Sequence, residues 1–185
     1  IIWEEQLQRG VAAEISQALM EEVYTTPKPG LVDREDTGAH TDMNCQTFQK
    51  STEAIAEDLA AMFEAGYSWE ADPKTLFPLL RERGKKTEEK MFAATGGVNT
   101  HKGIIFTIGI LAAAAGISLR NYGKIESENV CRISMEMTKK ELEQDLRKLK
   151  QSSGITHGEK IYCHLGEKGV RGLAMSGYPI LCELT

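Results

Sequence analysis

Three polar segments of this 185-residue sequence contain residue types that could bind a ligand or do chemistry. The first begins at Thr26, includes the paired prolines Pro27 and Pro29, and extends to Met43. Its ionisable side chains are Lys28, Asp33, Arg34, Glu35, Asp36, His40 and Asp42. Because proline fixes φ and stiffens the backbone, such a loop could hold a metal ion or a phosphate in a fixed geometry. A solvated connection between two helices, with Asp42 capping the second, explains the same residues equally well.

The second segment, residues 94–103, directly precedes the most apolar run of the chain. Within it, the glycine pair Gly96-Gly97 is followed by the polar run Asn99, Thr100, His101 and Lys102. Glycines let a ligand approach the backbone, and the start of a helix offers free N–H groups and the positive end of its dipole. Asn99 or Thr100 could cap that helix, whereas Lys102 would oppose the dipole unless an anion lies nearby. We therefore favour a phosphate site here over an ordinary capped helix start.

The third segment comprises residues 154–159 and the glycine-rich turn at 166–172, which surrounds Arg171. An arginine in a flexible turn suits bidentate contact with a phosphate. An exposed arginine at a glycine-rich helix end explains the same spacing equally well, so residue types alone favour neither interpretation.

Composition and motif content exclude several other classes of function. With 22 basic and 27 acidic side chains the net charge is −5, which argues against nonspecific binding to nucleic acid or to an anionic membrane. The four cysteines include no CxxC pair, so we expect free thiols and a cytoplasmic protein. The ExxH, HExxH, GxSxG and GxGxxG motifs are absent from the sequence. Glu4, Glu5 and Arg9 interrupt any signal peptide, and because Ile1 is not methionine we expect a trimmed N-terminal end.

Hydrophobic periodicity predicts an all-α fold. Helices are expected over residues 4–25, 43–65, 87–95, 126–150 and 159–165, with a shorter one beginning at Pro73 and an apolar one at about 103–116. Thr41 or Asp42 should cap the second helix, Gly66 should end it, and Gly84 should break the helix that begins at Pro73. The uncharged run 103–119 is shorter than the ~20 apolar residues of a membrane span, so we expect a buried core helix. We predict a single domain over 1–185, a compact array of about six or more helices around helix 103–116.

At these same segments the sequence resembles the triphosphoribosyl-dephospho-coenzyme A synthase family. The matching pieces occur in order along the chain: Thr26-Pro-Lys-Pro-Gly-Leu-Val-Asp-Arg34, Gly38-Ala-His40, Asp42-Met43, Phe48 with Ser51, Gly97-Val-Asn-Thr-His-Lys-Gly103, Thr156-x-Gly-Glu159, and Gly169-Val-Arg-Gly172 with Ser176-Gly-Tyr-Pro179. The resemblance implies an all-helical transferase that joins ATP to 3′-dephospho-coenzyme A and releases adenine. The product would be the precursor of the prosthetic group of citrate lyase or malonate decarboxylase.

This chemistry, taken with the resemblance, suggests a role for each candidate residue. Displacement at the ribose anomeric carbon needs a nearby carboxylate and a base for the attacking hydroxyl, and a triphosphate needs cations such as Mg²⁺. Asp33 and Asp42 would hold Mg²⁺ or stabilise the anomeric cation, and His40 or His101 would act as the general base. The expected substrate-binding residues are Lys28, Arg34, Gly97, Asn99, Thr100, Lys102, Glu159 and Arg171.

The resemblance also sets expectations about length. Family members usually have an acidic residue where Leu173 stands. They continue for roughly a hundred residues beyond the Gly-Tyr-Pro motif, about the size of a small domain, so we expect this chain to lack the C-terminal part. Apolar helix faces left exposed by that loss predict a homodimer. The competing hypothesis is a truncated homologue that binds nucleotide or assembles with another chain without catalysis.

Overall fold

The computed structural model describes residues 2–149 and 168–183. These residues form seven α-helices and one 3₁₀ turn, and no strand occurs among them. The elements are α1 (Ile2–Tyr24), α2 (Cys45–Tyr67), the 3₁₀ turn (Pro73–Thr75), α3 (Phe77–Thr95), α4 (Lys102–Tyr122), α5 (Ser127–Leu149), α6 (Gly169–Met175) and α7 (Pro179–Glu183). The prediction of an all-α fold is confirmed. The helix predicted at 159–165 and the candidate Glu159 lie outside the described residues.

The chain divides into two compact units. The first consists of Ile1–Glu64 and Arg81–Gly109, and the second of Ala65–Leu80 and Ile110–Thr185. The single domain expected over 1–185 stays a prediction.

The core of the first unit is built on one face of α2. Ile55, Leu59 and Met62 recur there at helical spacing and are almost fully buried. Leu19 and Val23 of α1, Met91 of α3 and Ile105 of α4 complete this core. Full burial of each such side chain stabilises the fold by roughly 1.5–3 kcal/mol.

The second unit is organised by α5, which packs against the 3₁₀ turn, α6 and α7. Its buried face consists of Val130, Cys131, Ile133, Ser134, Met137, Thr138, Leu142 and Leu146. The Thr138 hydroxyl also donates to the Ala174 carbonyl oxygen of α6 at 3.2 Å. Leu149, the last residue of this helix, is only half-buried.

Helix α4 extends six residues beyond the predicted end at 116 and reaches Tyr122. Ile105, Ile110, Ile117 and the alanines 112–114 are buried, whereas Ile104 and Tyr122 near its two ends are exposed. By length and composition alone this helix could also cross a membrane. Its most apolar stretch has a mean hydropathy of 1.9, and 44% of that stretch is buried. A buried helix in the core of a water-soluble domain has the same composition.

The cysteines of the described residues are free thiols, as predicted. Cys45, Cys131 and Cys182 form no disulfide, and Cys163 lies outside the described residues. Burial, together with a contact from Cys182, raises the pKa of the Cys131 thiol to about 11. Cys131 is therefore protonated and unreactive at neutral pH.

Three local predictions about helix ends are wrong. The cap of α2 is Asn44, whose Oδ1 accepts the N–H of Thr47 at 3.1 Å while Thr47 Oγ1 accepts the N–H of Asn44 at 3.2 Å. This reciprocal pair replaces the predicted caps Thr41 and Asp42. Gly66 does not end α2, which continues to Tyr67. Helix α3 continues through Gly84, because buried side chains on both sides of it outweigh the ~1 kcal/mol cost of a helical glycine.

Gly66 and Gly84 are both helical glycines, yet we expect opposite effects from replacing them with alanine. A Cβ on Gly66 would lie 2.0 Å from the Ala113 carbonyl oxygen, whereas a Cβ on Gly84 meets nothing within 4 Å. Gly66→Ala should therefore lower the free energy of unfolding by roughly 1–3 kcal/mol. Gly84→Ala should raise it by about 0.5–1 kcal/mol. Urea unfolding followed by circular dichroism measures both, and equal effects at the two positions would contradict the close approach at Gly66.

Candidate functional site

Asp33 organises the loop between α1 and α2. Its side chain is buried, and each carboxylate oxygen accepts two hydrogen bonds. Oδ2 accepts from Thr26 Oγ1 at 2.9 Å and from the Lys28 N–H at 3.0 Å. Oδ1 accepts from the N–H groups of Glu35 and Asp36, at 2.8 and 3.0 Å. These donors, the Asp36 N–H foremost, hold the pKa of Asp33 well below its usual range.

The four hydrogen bonds decide how well Asp33 fits a metal ion. A carboxylate has about four acceptor positions, and at Asp33 the loop itself occupies all of them. Asp42, by contrast, is exposed, and its Oδ1 lies 3.8 Å from His40 Nδ1. Of the two predicted Mg²⁺ ligands, Asp42 therefore fits the ion and Asp33 does not. No group of three or more metal-ligating side chains occurs within residues 2–149 and 168–183, and Mg²⁺ usually completes its shell with water and substrate phosphates.

The loop is attached at both of its ends. At the end of α1, the Lys28 ammonium donates to the Glu22 carbonyl oxygen at 2.7 Å and lies 3.0 Å from the Glu22 carboxylate. At the start of α2, the Cys45 thiol donates to the Asp33 carbonyl oxygen at 2.9 Å. Inside the loop only glycine fits at position 38, because φ is +58° and a Cβ would lie 2.5 Å from the Gly30 carbonyl carbon.

His101, the residue before α4, lies in a buried cluster and is only 3% exposed. Its Nδ1 lies 2.7 Å from Ser51 Oγ, and its imidazole forms a T-shaped contact with the Phe48 ring, with the centroids 5.1 Å apart. The Thr100 hydroxyl donates to Ser51 Oγ at 2.7 Å. The His101 backbone N–H donates to the sulfur of Met91 at 3.2 Å.

Burial also sets the charge of His101. It lowers the pKa of the imidazole to about 4, partly opposed by the negative charge of Glu22. The ring is therefore neutral at pH 7, with one nitrogen as donor and the other as acceptor. A side chain with so low a pKa is a weak proton acceptor, which lessens its suitability as the predicted general base.

The segment between α3 and α4 shows the expected helix cap, and α3 supplies an anion close to Lys102. The Gly97 N–H donates back to the Phe92 carbonyl oxygen at 2.8 Å, with φ at +92°. Asn99 Oδ1 accepts the Lys102 N–H at 3.3 Å, which confirms Asn99 as a capping residue. Lys102 Nζ lies 3.0 Å from the Glu88 carboxylate of α3. Glu88 is therefore the anion near Lys102, and the lysine alone does not require a phosphate at this helix start.

Arg34 differs from the two lysines. Its guanidinium lies over the Tyr24 ring, 4.9 Å from the centroid. No carboxylate of the described residues forms an ion pair with it. Arg34 is thus the cation of this loop most available to an anionic ligand.

The comparison with known families matches the same segments. A family model described as CitG, ATP:dephospho-CoA triphosphoribosyl transferase, matches residues 8–185. The chain belongs to this family. No solved structure matches it.

Two of the curated proteins that this triphosphoribosyl transferase family member resembles come from Streptococcus pyogenes. Each is named "Probable 2-(5''-triphosphoribosyl)-3'-dephosphocoenzyme-A synthase". The protein of serotype M49 (strain NZ131) is 38% identical over 190 residues, covering 95% of this chain and 65% of the relative. That of serotype M18 (strain MGAS8232) is 38% identical over 188 residues, covering 94% and 64%. The chain thus spans about 65% of the length of the curated relatives that it matches.

The first unit contains most of the predicted site residues of this family member. The start of α2 connects two groups of them, because Cys45 contacts the Asp33 loop while Phe48 and Ser51 contact His101. The predicted residues in this unit are Lys28, Asp33, Arg34, His40, Asp42, Gly97, Asn99, Thr100, His101 and Lys102. Arg171 is on α6 in the second unit, where it is half-buried.

Sequence reasoning did not assign roles to Ser51, Glu22 or Glu88. Ser51 belongs to a motif shared with the family, and that was the available signal for it. Glu22 and Glu88 have no motif, because they matter only through ion pairs with Lys28 and Lys102 that the folded chain creates.

Asp33→Asn should destabilise the protein near neutral pH, because the new amide hydrogens would face N–H donors. We expect the unfolding midpoint to fall by several degrees at pH 7. The folded pKa of Asp33 is depressed, so its stabilising effect is present above the unfolded value near 4 and is lost as the pH falls below it. The two midpoints should therefore converge below about pH 4. Asp42→Asn, at an exposed position of the same loop, is the control and should leave the midpoint nearly unchanged.

The depressed pKa of His101 predicts a different pH dependence. The unfolded histidine gains a proton below about pH 6.5, while the folded one stays neutral down to about pH 4. This difference should lower the free energy of unfolding by about 3 kcal/mol across that interval. Urea unfolding between pH 7 and 4.5 should show a shallower pH dependence for His101→Gln than for the wild type. Equal slopes for the two proteins would contradict the buried neutral imidazole.

Proposed function

We propose that this chain carries the transferase activity of its family, joining ATP to 3′-dephospho-coenzyme A with release of adenine. Family membership and the names of its relatives support this proposal. The observation that carries it is the arrangement around α2, where Cys45 contacts the Asp33 loop and Ser51 contacts His101. Both groups lie in segments that resemble the family's motifs.

The proposed reaction exchanges one bond at the ribose of ATP. The bond from the anomeric carbon to adenine breaks, and a bond to the 2′-hydroxyl oxygen of dephospho-coenzyme A forms. The hydroxyl proton goes to a base, and adenine leaves carrying one proton, so charge and atoms balance. The transition state resembles an oxocarbenium ion, which a nearby carboxylate would stabilise.

We propose His40 as the base and Asp42 as its partner. His40 is 37% exposed and its Nδ1 lies 3.8 Å from the Asp42 carboxylate, so the pair can meet a substrate hydroxyl. Asp33 acts indirectly, since its hydrogen bonds fix the backbone that carries both residues. Mg²⁺, if held by Asp42 together with substrate phosphates, would neutralise triphosphate charge.

The phosphates would be bound by separate cations and by the start of α4. Arg34 has no carboxylate partner among the described residues and is the first candidate. Lys28 and Lys102 would have to exchange Glu22 and Glu88 for phosphate oxygens. The amide groups of Gly103 and Ile104 lie in the first turn of α4, where N–H groups have no intrahelical partner. We further propose that Gly97, Asn99, Thr100, Glu159 and Arg171 bind substrate.

The product would serve citrate lyase or malonate decarboxylase, in the cytoplasm. The free thiols of Cys45, Cys131 and Cys182 support a reducing compartment. The homodimer stays a prediction, supported by exposed apolar side chains such as Ile125 and Ile180.

The direct test is to incubate the protein with ATP, Mg²⁺ and dephospho-coenzyme A and to measure free adenine by chromatography. His40→Gln should lower the rate of adenine release by about 10²–10⁴-fold, as expected for loss of a general base. Arg34→Gln should weaken ATP binding by roughly tenfold. Lys140→Gln, at an exposed site on α5, is the charge-matched control and should change neither quantity.

The same assay separates the two hypotheses of function. Adenine release by the wild type supports the transferase. ATP binding without adenine release, under otherwise identical conditions, would favour the nucleotide-binding homologue. Absence of both would refute the proposed function.

A further inference from the structure

Ser51 is fully buried, and its hydroxyl has two polar neighbours. Thr100 Oγ1 donates to Ser51 Oγ at 2.7 Å, and His101 Nδ1 lies at the same distance on the other side. A serine hydroxyl has only one proton. With Thr100 as the donor to Ser51, every group is paired when the Ser51 proton is directed to Nδ1 of His101.

This direction fixes the tautomer of the imidazole. When Nδ1 accepts a hydrogen bond, the proton of a neutral histidine lies on Nε2. Nε2 has no hydrogen-bond partner within the described part of the chain. It is also not one of the solvent-inaccessible side-chain atoms without a partner there, such as Thr52 Oγ1 and Ser134 Oγ. Nε2 therefore lies at the small part of His101 that reaches solvent.

The surroundings of Nε2 indicate what it would bind. His101 directly precedes α4, so its ring lies at the end of the helix where free N–H groups and the positive end of the dipole favour an anion. Glu22 is the charged group that acts on the ring, and its carboxylate is already 3.0 Å from Lys28 Nζ. A phosphate oxygen, which only accepts hydrogen bonds, is complementary to a nitrogen that only donates.

We infer that Ser51 is a positioning residue that holds neutral His101 with its Nε2–H as a hydrogen-bond donor to a phosphate oxygen of the nucleotide. The inference rests on the proposed function for the identity of the ligand. It gives His101 a role different from that of His40, because Nε2–H holds an oxygen and transfers no proton. No bond is made or broken in this step.

The tautomer can be read from the free protein. Long-range proton–nitrogen correlation spectra of the ¹⁵N-histidine-labelled chain at pH 7 should show a bare Nδ1 and a protonated Nε2 for His101, assigned by the signals lost in His101→Gln. Ser51→Ala should shift the nitrogen signals toward a mixture of tautomers. A protonated Nδ1 in the wild type would overturn the inference, whether or not any variant folds.

Nucleotide binding provides the second measurement, made by calorimetry with ATP and Mg²⁺. Ser51→Ala should weaken ATP binding about tenfold, the effect of one hydrogen bond to a charged group. His101→Gln, which keeps an N–H near the Nε2 position, should lose less affinity than His101→Ala. Thr52→Val is the matched control, because it removes a neighbouring buried hydroxyl that has no partner and should leave affinity unchanged.

The outcomes distinguish this inference from the proposed function. If the wild type releases adenine while Ser51→Ala binds ATP as tightly as Thr52→Val, the inference is wrong and the transferase stands. If the wild type binds no ATP, the proposed function fails, and with it the ligand assigned to His101.

Discussion

The arrangement of the first unit depends on the hydrogen bonds of one buried carboxylate. Between α1 and α2 the backbone has no helical partners, and its N–H groups would otherwise have to bind water. Asp33 accepts donors from residues on both sides of itself and so closes the chain into one conformation. Arg34, the next residue in the chain, lies within that closed segment. Asp33, which was predicted to take part in the chemistry, thus has a structural role in the loop that carries the other candidates.

Charge is balanced locally around this site. The two lysines that seemed free in the sequence are paired with Glu22 and Glu88, each at 3.0 Å. At these two lysines a polyanionic ligand must therefore replace a carboxylate partner, whereas Arg34 has none to replace among the described residues. The Lys102–Glu88 pair is partly exposed, and such pairs contribute little to stability, so the exchange at Lys102 costs little. The excess of acidic residues over the whole chain is compatible with a phosphate site built in this way.

The helices and their buried faces were largely predictable, because a 3.6-residue period is a property of neighbouring residues. The apolar run in α4 and the amphipathic pattern of α5 both appear where expected. What the sequence did not reveal depends on contacts between distant residues. From the sequence Gly66 looks like a helix end, and only the folded chain shows its close approach to Ala113. Gly84 looks like a helix break, but buried side chains on both sides of it stabilise α3. Within the site, the residue types of Asp33 and His101 were evident, but their saturation by hydrogen bonds and their burial were not.

Helix α2 also constrains the number of residues between Cys45 and Ser51. Cys45 contacts the Asp33 loop and Ser51 contacts His101, so the two groups are held at a spacing measured along one helix. One inserted or deleted residue between them would turn Ser51 by about 100° relative to Cys45. The hydroxyl would then leave the imidazole even though every motif residue remained. We conclude that the register of α2, as much as the identity of the motif residues, determines whether the site can form.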